Sequence, residues 1–327
     1  VFNMKKAISV LHDSKSIISK LTEHKSKASQ QMVCFYNSTI NSIITDPLFM
    51  SISMEDKIIH RGLSVFDTTK VFSNKIYNMD SHIDRLFKSL GYTCLTPKHT
   101  KEEIRDILIQ TAVEARKIEP KSDLDLRFFY SAGLGNFSVQ EFPDQHTFYV
   151  LAIRANNEER PINGAKDFLI NKEKIVDDCL KAKTTNYLVN CIINKQSKSQ
   201  GGYLGIITDK DGNLLESTIS NLAFVNEKDE FVVPPFEKTL RGTTVVKCMD
   251  YIESKLIQEG LLKGIVRDYT NMNDIKSGKI KEAMFVGGDF LCPLLELDNV
   301  VISTEPGKVA RKLQDFLNKQ KTEIAEE

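Results

Sequence analysis

Hydrophobic positions recur along this chain at two periods, and each change of period marks an element. Residues 32–45 (MVCFYNSTINSIIT) read as two strands around the turn residues Asn37 and Ser38. Val71 to Met79 suggest a second hairpin, turning at Ser73 and Asn74. Ser81 opens a helix in which Ile83, Leu86, Phe87 and Leu90 recur at helical spacing. Lys101 to Arg116 form another, with Ile104, Ile107, Leu108 and Ala112 on one face. Leu126–Ala132 and Thr147–Ile153 are apolar enough for buried strands. Helices beside an antiparallel sheet make this half α+β. Ahead of it, Ile8, Leu11, Ile17, Ile18 and Leu21 fit a short amphipathic helix.

The polar stretch Asn156 to Pro161 is the best linker candidate. Beyond it come the short apolar runs Leu204–Thr208, Leu222–Val225 and Phe231–Val233. Asp211-Gly212, between the first two, signals a hairpin turn. One helix is expected to start near Thr185 and another near Thr244, the latter with Val245, Met249, Ile252 and Leu256 on one stripe.

A chain of 327 residues is expected to divide into two domains. The hydrophobic fraction of 41% and charged fraction of 27% are those of a globular protein. The 44 basic residues balance 44 acidic ones, which argues against a nucleic-acid or membrane-surface partner held by bulk charge. No apolar run approaches the roughly 20 residues that cross a bilayer. Cys34, Cys94, Cys179, Cys191, Cys248 and Cys292 show no metal-type spacing and read as reduced, mostly buried thiols of a cytoplasmic protein, with no metal site. The Lys- and Ser-rich N-terminus lacks a secretory apolar stretch, while an organellar transit peptide stays open.

No single motif names a chemistry, but five short segments follow one another in order: His60-Arg61-Gly62-Leu63-Ser64-Val65-Phe66-Asp67; Asp80-Ser81-His82-Ile83-Asp84-Arg85-Leu86; Lys183-Thr184-Thr185-Asn186-Tyr187-Leu188; Glu216-Ser217-Thr218-Ile219-Ser220-Asn221-Leu222; and Arg241-Gly242-Thr243-Thr244. The series resembles the class IV pyridoxal-phosphate enzymes, which include branched-chain and D-amino acid aminotransferases and aminodeoxychorismate lyases, and it is most similar to plant-type members. The resemblance runs from about residue 32 to the end.

It implies an α/β (α+β) two-domain fold of the D-amino acid aminotransferase-like kind, fold type IV. A small α+β domain would span 1–155 and a larger one with a β-barrel-like core 162–327. Pyridoxal 5'-phosphate is the implied cofactor and would lie between them. It needs a lysine for its aldehyde, an acid beside its ring nitrogen and a cage for its phosphate. By the family's pattern Lys183 is the Schiff-base lysine; Lys181 is its rival but does not precede Asn-Tyr-Leu at the family spacing. Glu216 would face the ring nitrogen, Arg85 grip the phosphate with its planar fork, and Tyr187, one helical turn from Lys183, meet the ring oxygen. Gly242, Thr243 and Thr244 precede a helix and suit a phosphate, or Thr243 is a simple N-cap. Gly287 and Gly288 fall where many relatives touch the phosphate with small hydroxyl residues. Phe66 and Arg127 are the substrate-binding candidates, with His60 at the pocket's border; an Arg127 paired with Asp123 or Asp125 is the structural alternative.

The implied reaction moves an amino group between an amino acid, of D or branched-chain type, and a 2-oxo acid. The resemblance also implies a homodimer. The loop after Arg127 lacks the Arg and His pair of the bacterial D-amino acid enzymes, and the spacing after Lys183 is one residue shorter than in the branched-chain enzymes. Two other functions compete: a lyase releasing pyruvate and 4-aminobenzoate, and a non-catalytic cofactor-binding homologue.

Overall fold

The computed structural model describes residues 9–23, 28–72, 74–138, 145–155, 160–170 and 181–326. Two sheets organise it. The first holds β1 (Met32–Asn37), β2 (Ser42–Ile44), β3 (Ser64–Phe72), β4 (Lys75–Ile76), β5 (Leu124–Ser131) and β6 (Thr147–Arg154). Its order is β2-β1-β6-β5-β3-β4, with every neighbouring pair antiparallel. Alternation decides what each face does. Leu124, Leu126, Phe128 and Tyr130 of β5 turn to one side and pack, with Phe148, Val150 and Ala152 of β6, against two helices. Val65 and Val71 of β3 join them, and Asp67 lies at the same phase of that strand, a charge on the core side of a sheet.

Those helices are α3 (Met79–Tyr92) and α4 (Lys101–Ile118); ahead of them in the chain lie α1 (Ser14–Glu23) and α2 (Lys57–His60). Ile83, Leu86 and Leu90 of α3 and Ile104, Leu108, Ala112 and Ala115 of α4 form the buried stripes. Truncating a core leucine such as Leu86 or Leu108 would cost about 2–5 kcal/mol. α4 opens with a capping box, Thr100 Oγ1 accepting from Glu103 N at 3.1 Å and Glu103 Oε2 from Thr100 N at 2.7 Å.

The second sheet has nine strands: β7 (Ala165–Asp167), β8 (Ile206–Thr208), β9 (Leu214–Ser217), β10 (Asn221–Asn226), β11 (Glu230–Val233), β12 (Gly264–Arg267), β13 (Ile280–Gly287), β14 (Phe290–Leu297) and β15 (Val300–Val301). Its path is β12-β11-β10-β13-β14-β15; β7 adds in parallel to β14, and β9 joins β10 and β8. Helices α5 (Leu188–Ser199), α6 (Thr243–Tyr251), α7 (Met272–Lys276) and α8 (Lys308–Glu326) accompany it. Val245 and Cys248 of α6, with Ile252 and Leu256 of the π-helical turn beyond it, bury with Val309 and Leu313 of α8.

Several expectations need correction. α3 begins at Met79 rather than Ser81, because Asn78 takes the left-handed conformation, φ 52°, just before it. The chain bends at Thr185 and the helix waits until Leu188, because β3 first pairs with residues 183–185. The Asp211-Gly212 turn joins β8 to Leu214–Ser217, a strand the hydrophobic pattern did not set apart. Cys94 and Cys191 are exposed, while Cys34, Cys248 and Cys292 are buried, and burial pushes these three thiols up to about 12. Ile8, Ser73, Cys179 and residues 156–159 of the expected linker lie outside the described residues. Within α1 the apolar positions all remain at least partly exposed. No helix among the described residues is long and apolar enough to cross a membrane, and no His, Cys, Asp and Glu among them group as metal ligands.

Candidate active site

β3 is where the two halves of the chain meet. Phe66 N donates to Lys183 O at 2.9 Å and Thr185 N to Ser64 O at 3.2 Å, so residues 183–185 run antiparallel against the strand. Ser89 Oγ, on α3, accepts from Lys183 N at 3.0 Å, and the Ser64 and Thr185 hydroxyls meet at 2.6 Å. The backbone of Lys183 is thus held on both sides, and its side chain is left to act. Nζ lies 3.0 Å from Tyr187 Oη and 4.5 Å from the centroid of the Phe66 ring. Among the described residues no carboxylate stands within ion-pair distance of it. Lys183 and Tyr187 meet across a bend rather than along a helix. Asn186 is structural: its Nδ2 donates to Gly62 O at 2.9 Å, and a Cβ at Gly62 would lie 2.3 Å from Asn186 Oδ1.

Glu216 is buried on β9. Its Oε2 accepts from Leu240 N at 3.1 Å, and Asn221, its cross-strand neighbour, donates Nδ2 to Leu240 O at 2.6 Å. Both contacts fix the turn that leads into α6. Gly242 caps that helix, and Thr243 is its first residue rather than its N-cap. A Cβ at Gly242 would lie 2.1 Å from Asn221 Oδ1, so packing alone demands this glycine. Thr244 Oγ1 accepts from Asp289 N at 3.1 Å, tying the 287–289 turn to the start of α6. Gly287 is closed in by Ser220, whereas Gly288 is exposed at φ 58°.

Arg85 completes the group. Its Nε and Nη2 grip Asp67 at 2.7 and 2.5 Å, and its Nη1 reaches Thr243 Oγ1 at 3.4 Å. His82, one turn earlier on α3, presents Nδ1 to the same carboxylate at 2.9 Å. Burial would raise the Asp67 pKa, but the Arg85 and His82 charges outweigh it and hold the carboxyl well below its usual range. The motif by itself gives Asp67 no role. The available signal was an acid at the core phase of a β-strand, which demands a buried cation.

The predicted substrate residues lie on the other face of the first sheet. Phe66 packs on Phe129, ring centroids 5.9 Å apart, and edge-on to Tyr187 at 5.2 Å. Arg127 is exposed, opposite Thr68 and two residues before Phe129. Its suggested partner Asp125 is taken by Lys70 at 2.6 Å. His60 packs on Phe137 at 4.8 Å and belongs to the 133–138 loop rather than to Lys183. Outside Arg85 opens a cleft of about 580 Å³, lined among others by Lys88, Tyr92, Phe236, Leu240, Arg241, Thr243 and Arg267.

The amino-transferase class IV family model matches residues 64–262, more than half of the chain. This chain belongs to the class IV aminotransferases. It is 31% identical over 299 residues to the D-amino-acid transaminase, chloroplastic, of Arabidopsis thaliana, covering 89% of this chain and 77% of that protein. Its fold matches the branched-chain aminotransferase of Thermoproteus uzoniensis at a TM-score of 0.77, 17% identity, over 90% of this chain and 96% of that one. It also matches a hypothetical aminotransferase of Mycobacterium tuberculosis in its PLP-bound form, at 0.72 and 19% identity, over 87% and 97% of the two chains.

As a member of the family this protein is a pyridoxal-phosphate-dependent transaminase, and its donor set fits that cofactor. An amine without an ion pair among the described residues, a buried carboxylate, and a helix start beside an arginine are the three chemistries the cofactor requires. The transaminase relatives leave the lyase alternative unfavoured.

Proposed function

We propose that this transaminase uses Lys183 as its cofactor-bearing and proton-moving residue and that a D-amino acid is its amino donor. The observation that carries the first part is the amine of Lys183, held by its backbone on β3, facing Tyr187 Oη at 3.0 Å and, among the described residues, no acid within ion-pair distance. When bound, pyridoxal phosphate supplies an aldehyde carbon and an electron-accepting ring. Glu216 would face the ring nitrogen and keep it protonated, as a counter-charge that its burial leaves little screened by water. Arg85, Thr243, Thr244 and the exposed peptide of Gly288 would hold the phosphate, with the first turn of α6 adding its unpaired N–H groups. Tyr187 Oη would orient the Lys183 amine as it takes a proton from the substrate's α-carbon and returns one. Phe66 walls the reacting centre from water, and Arg127, exposed on the same face, would receive the substrate carboxylate.

The D-amino acid reading rests on the Arabidopsis relative, whose name states that activity. A branched-chain donor is the competing substrate, after the name of the Thermoproteus enzyme. We further propose that the two sheets are two domains with the cofactor between them, and that a homodimer is the working unit. The Arabidopsis relative's name supports an organellar over a cytoplasmic location. Wild-type protein is expected to transfer the amino group of D-alanine to a 2-oxo acid faster than that of L-leucine, and Lys183→Ala to transfer neither. Preference for L-leucine would overturn the substrate, and full activity in the variant would overturn the lysine.

A further inference from the structure

The cleft outside Arg85 shares Arg85 and Thr243 with the proposed phosphate grip, but Lys88, Tyr92, Phe236, Arg241 and Arg267 in its lining are left over by the chemistry assigned above. Its volume of about 580 Å³ is that of a small-molecule site. On one wall the guanidiniums of Arg267 and Arg241 lie 4.8 and 5.8 Å from the centroid of one ring, Phe236. Across from them Tyr92 carries the Lys181 ammonium 5.8 Å above its ring. Lys88 projects from α3 one turn beyond Arg85. Among the described residues neither Arg241, Arg267 nor Lys88 has a carboxylate within ion-pair distance. Of the two acids in the lining, Asp84 is paired with Lys101 at 2.5 Å, which leaves Glu237.

Planar forks without acidic partners suit a phosphate, and stacked arginines beside aromatic rings suit a flat conjugated system. We infer that this cleft binds a phosphate monoester carried on a planar heterocycle, in addition to the cofactor at Lys183. The bound molecule would sit beside Arg85 and Thr243, where Arg85 Nε is already turned inward to Asp67 and Nη1 reaches Thr243 Oγ1. Two sources share that chemistry: a second vitamer of the cofactor's own kind, and a nucleoside monophosphate. The inference stands apart from the role given to Lys183, because the visible absorbance of the loaded enzyme reports that role and calorimetric heat reports the cleft.

The test uses holoenzyme freed of excess cofactor and titrated separately with pyridoxine 5'-phosphate, which has no aldehyde to join a lysine, with adenosine monophosphate, and with inorganic phosphate. The expected result is one further site per chain for a ring phosphate, weaker binding of inorganic phosphate, and unchanged visible absorbance. The double variant Arg241→Gln with Arg267→Gln should lose about tenfold or more in that affinity, as two charge-assisted forks are removed, at an unchanged melting temperature. Tighter binding of the vitamer or of the nucleotide assigns the source. Heat from none of the three probes would overturn the inference. So would equal binding by the double variant, binding of inorganic phosphate alone, or binding that strips the visible absorbance.

Discussion

Lys183 and Arg85 are both cations at the junction of β3 with the second half of the chain, yet their surroundings are opposite. Arg85 is locked: Nε and Nη2 are spent on buried Asp67, His82 supports the same carboxylate, and only Nη1 faces the start of α6. Lys183 is fixed at its backbone and left open at its tip, with a phenol and an aromatic face for company. The difference separates holding from reacting. A group that must stay charged and still is given a buried counter-ion, whose removal leaves a costly orphan. A group that must become a neutral nucleophile is given none, because a carboxylate would favour its charged form.

The comparison breaks most severely at Lys183 itself. Lys183→Ala should reduce turnover on the order of 10⁴-fold while leaving the melting temperature within a few degrees, since no ion pair is lost. Steady-state kinetics beside calorimetry would check both halves. Glu216→Gln should retain a covalently bound cofactor but lower kcat by about 10²–10³-fold, since a neutral amide no longer stabilises the ring's charge. On the locked side, Asp67→Asn should cost about 3–5 kcal/mol of stability and loosen cofactor retention, read by denaturation and by dialysis of the loaded enzyme. Its kinetic signature differs from that of Glu216→Gln, because saturating cofactor should restore most of kcat. Tyr187→Phe should be mildest, about fivefold in kcat, the worth of one hydrogen bond.

The pH dependence of Asp67 sharpens the contrast. Its folded pKa lies below the unfolded value of 3.8, so the stability it contributes is fully present above about that pH. It is lost only as pH falls further, through the folded value. Denaturation profiles of wild type and Asp67→Asn should therefore run parallel through neutral pH and converge below 3.8. A gap that closes near neutral pH would place the titrating group elsewhere.

How legible this was in the sequence varied with the physics at each position. The antiparallel first half could be read because its period-two and helical stripes face one continuous core, as in β5 against α4. The second half was harder: β9 is a four-residue strand buried on both faces, which shows no alternation. Lys183, Glu216 and Arg85 came from motif resemblance, since isolated charges carry no periodic signal. Asp67 was in plain view inside the first motif, but its meaning depends on Arg85, eighteen residues away and brought back by the β3–α3 connection. The three-residue delay of α5 could not be read from the sequence. The stretch from Thr185 has helical spacing, and the pairing of residues 183–185 with Ser64 and Phe66 keeps its start out of the helix.

The account's central claim concerns which amine bears the cofactor. Borohydride reduction of the loaded enzyme, followed by peptide mapping by mass spectrometry, locates that amine directly. The added mass is expected on the peptide containing Lys183, at one per chain, and absent from Lys183→Ala. Finding it on Lys181 or Lys247, with Lys183 unmodified, would contradict the account.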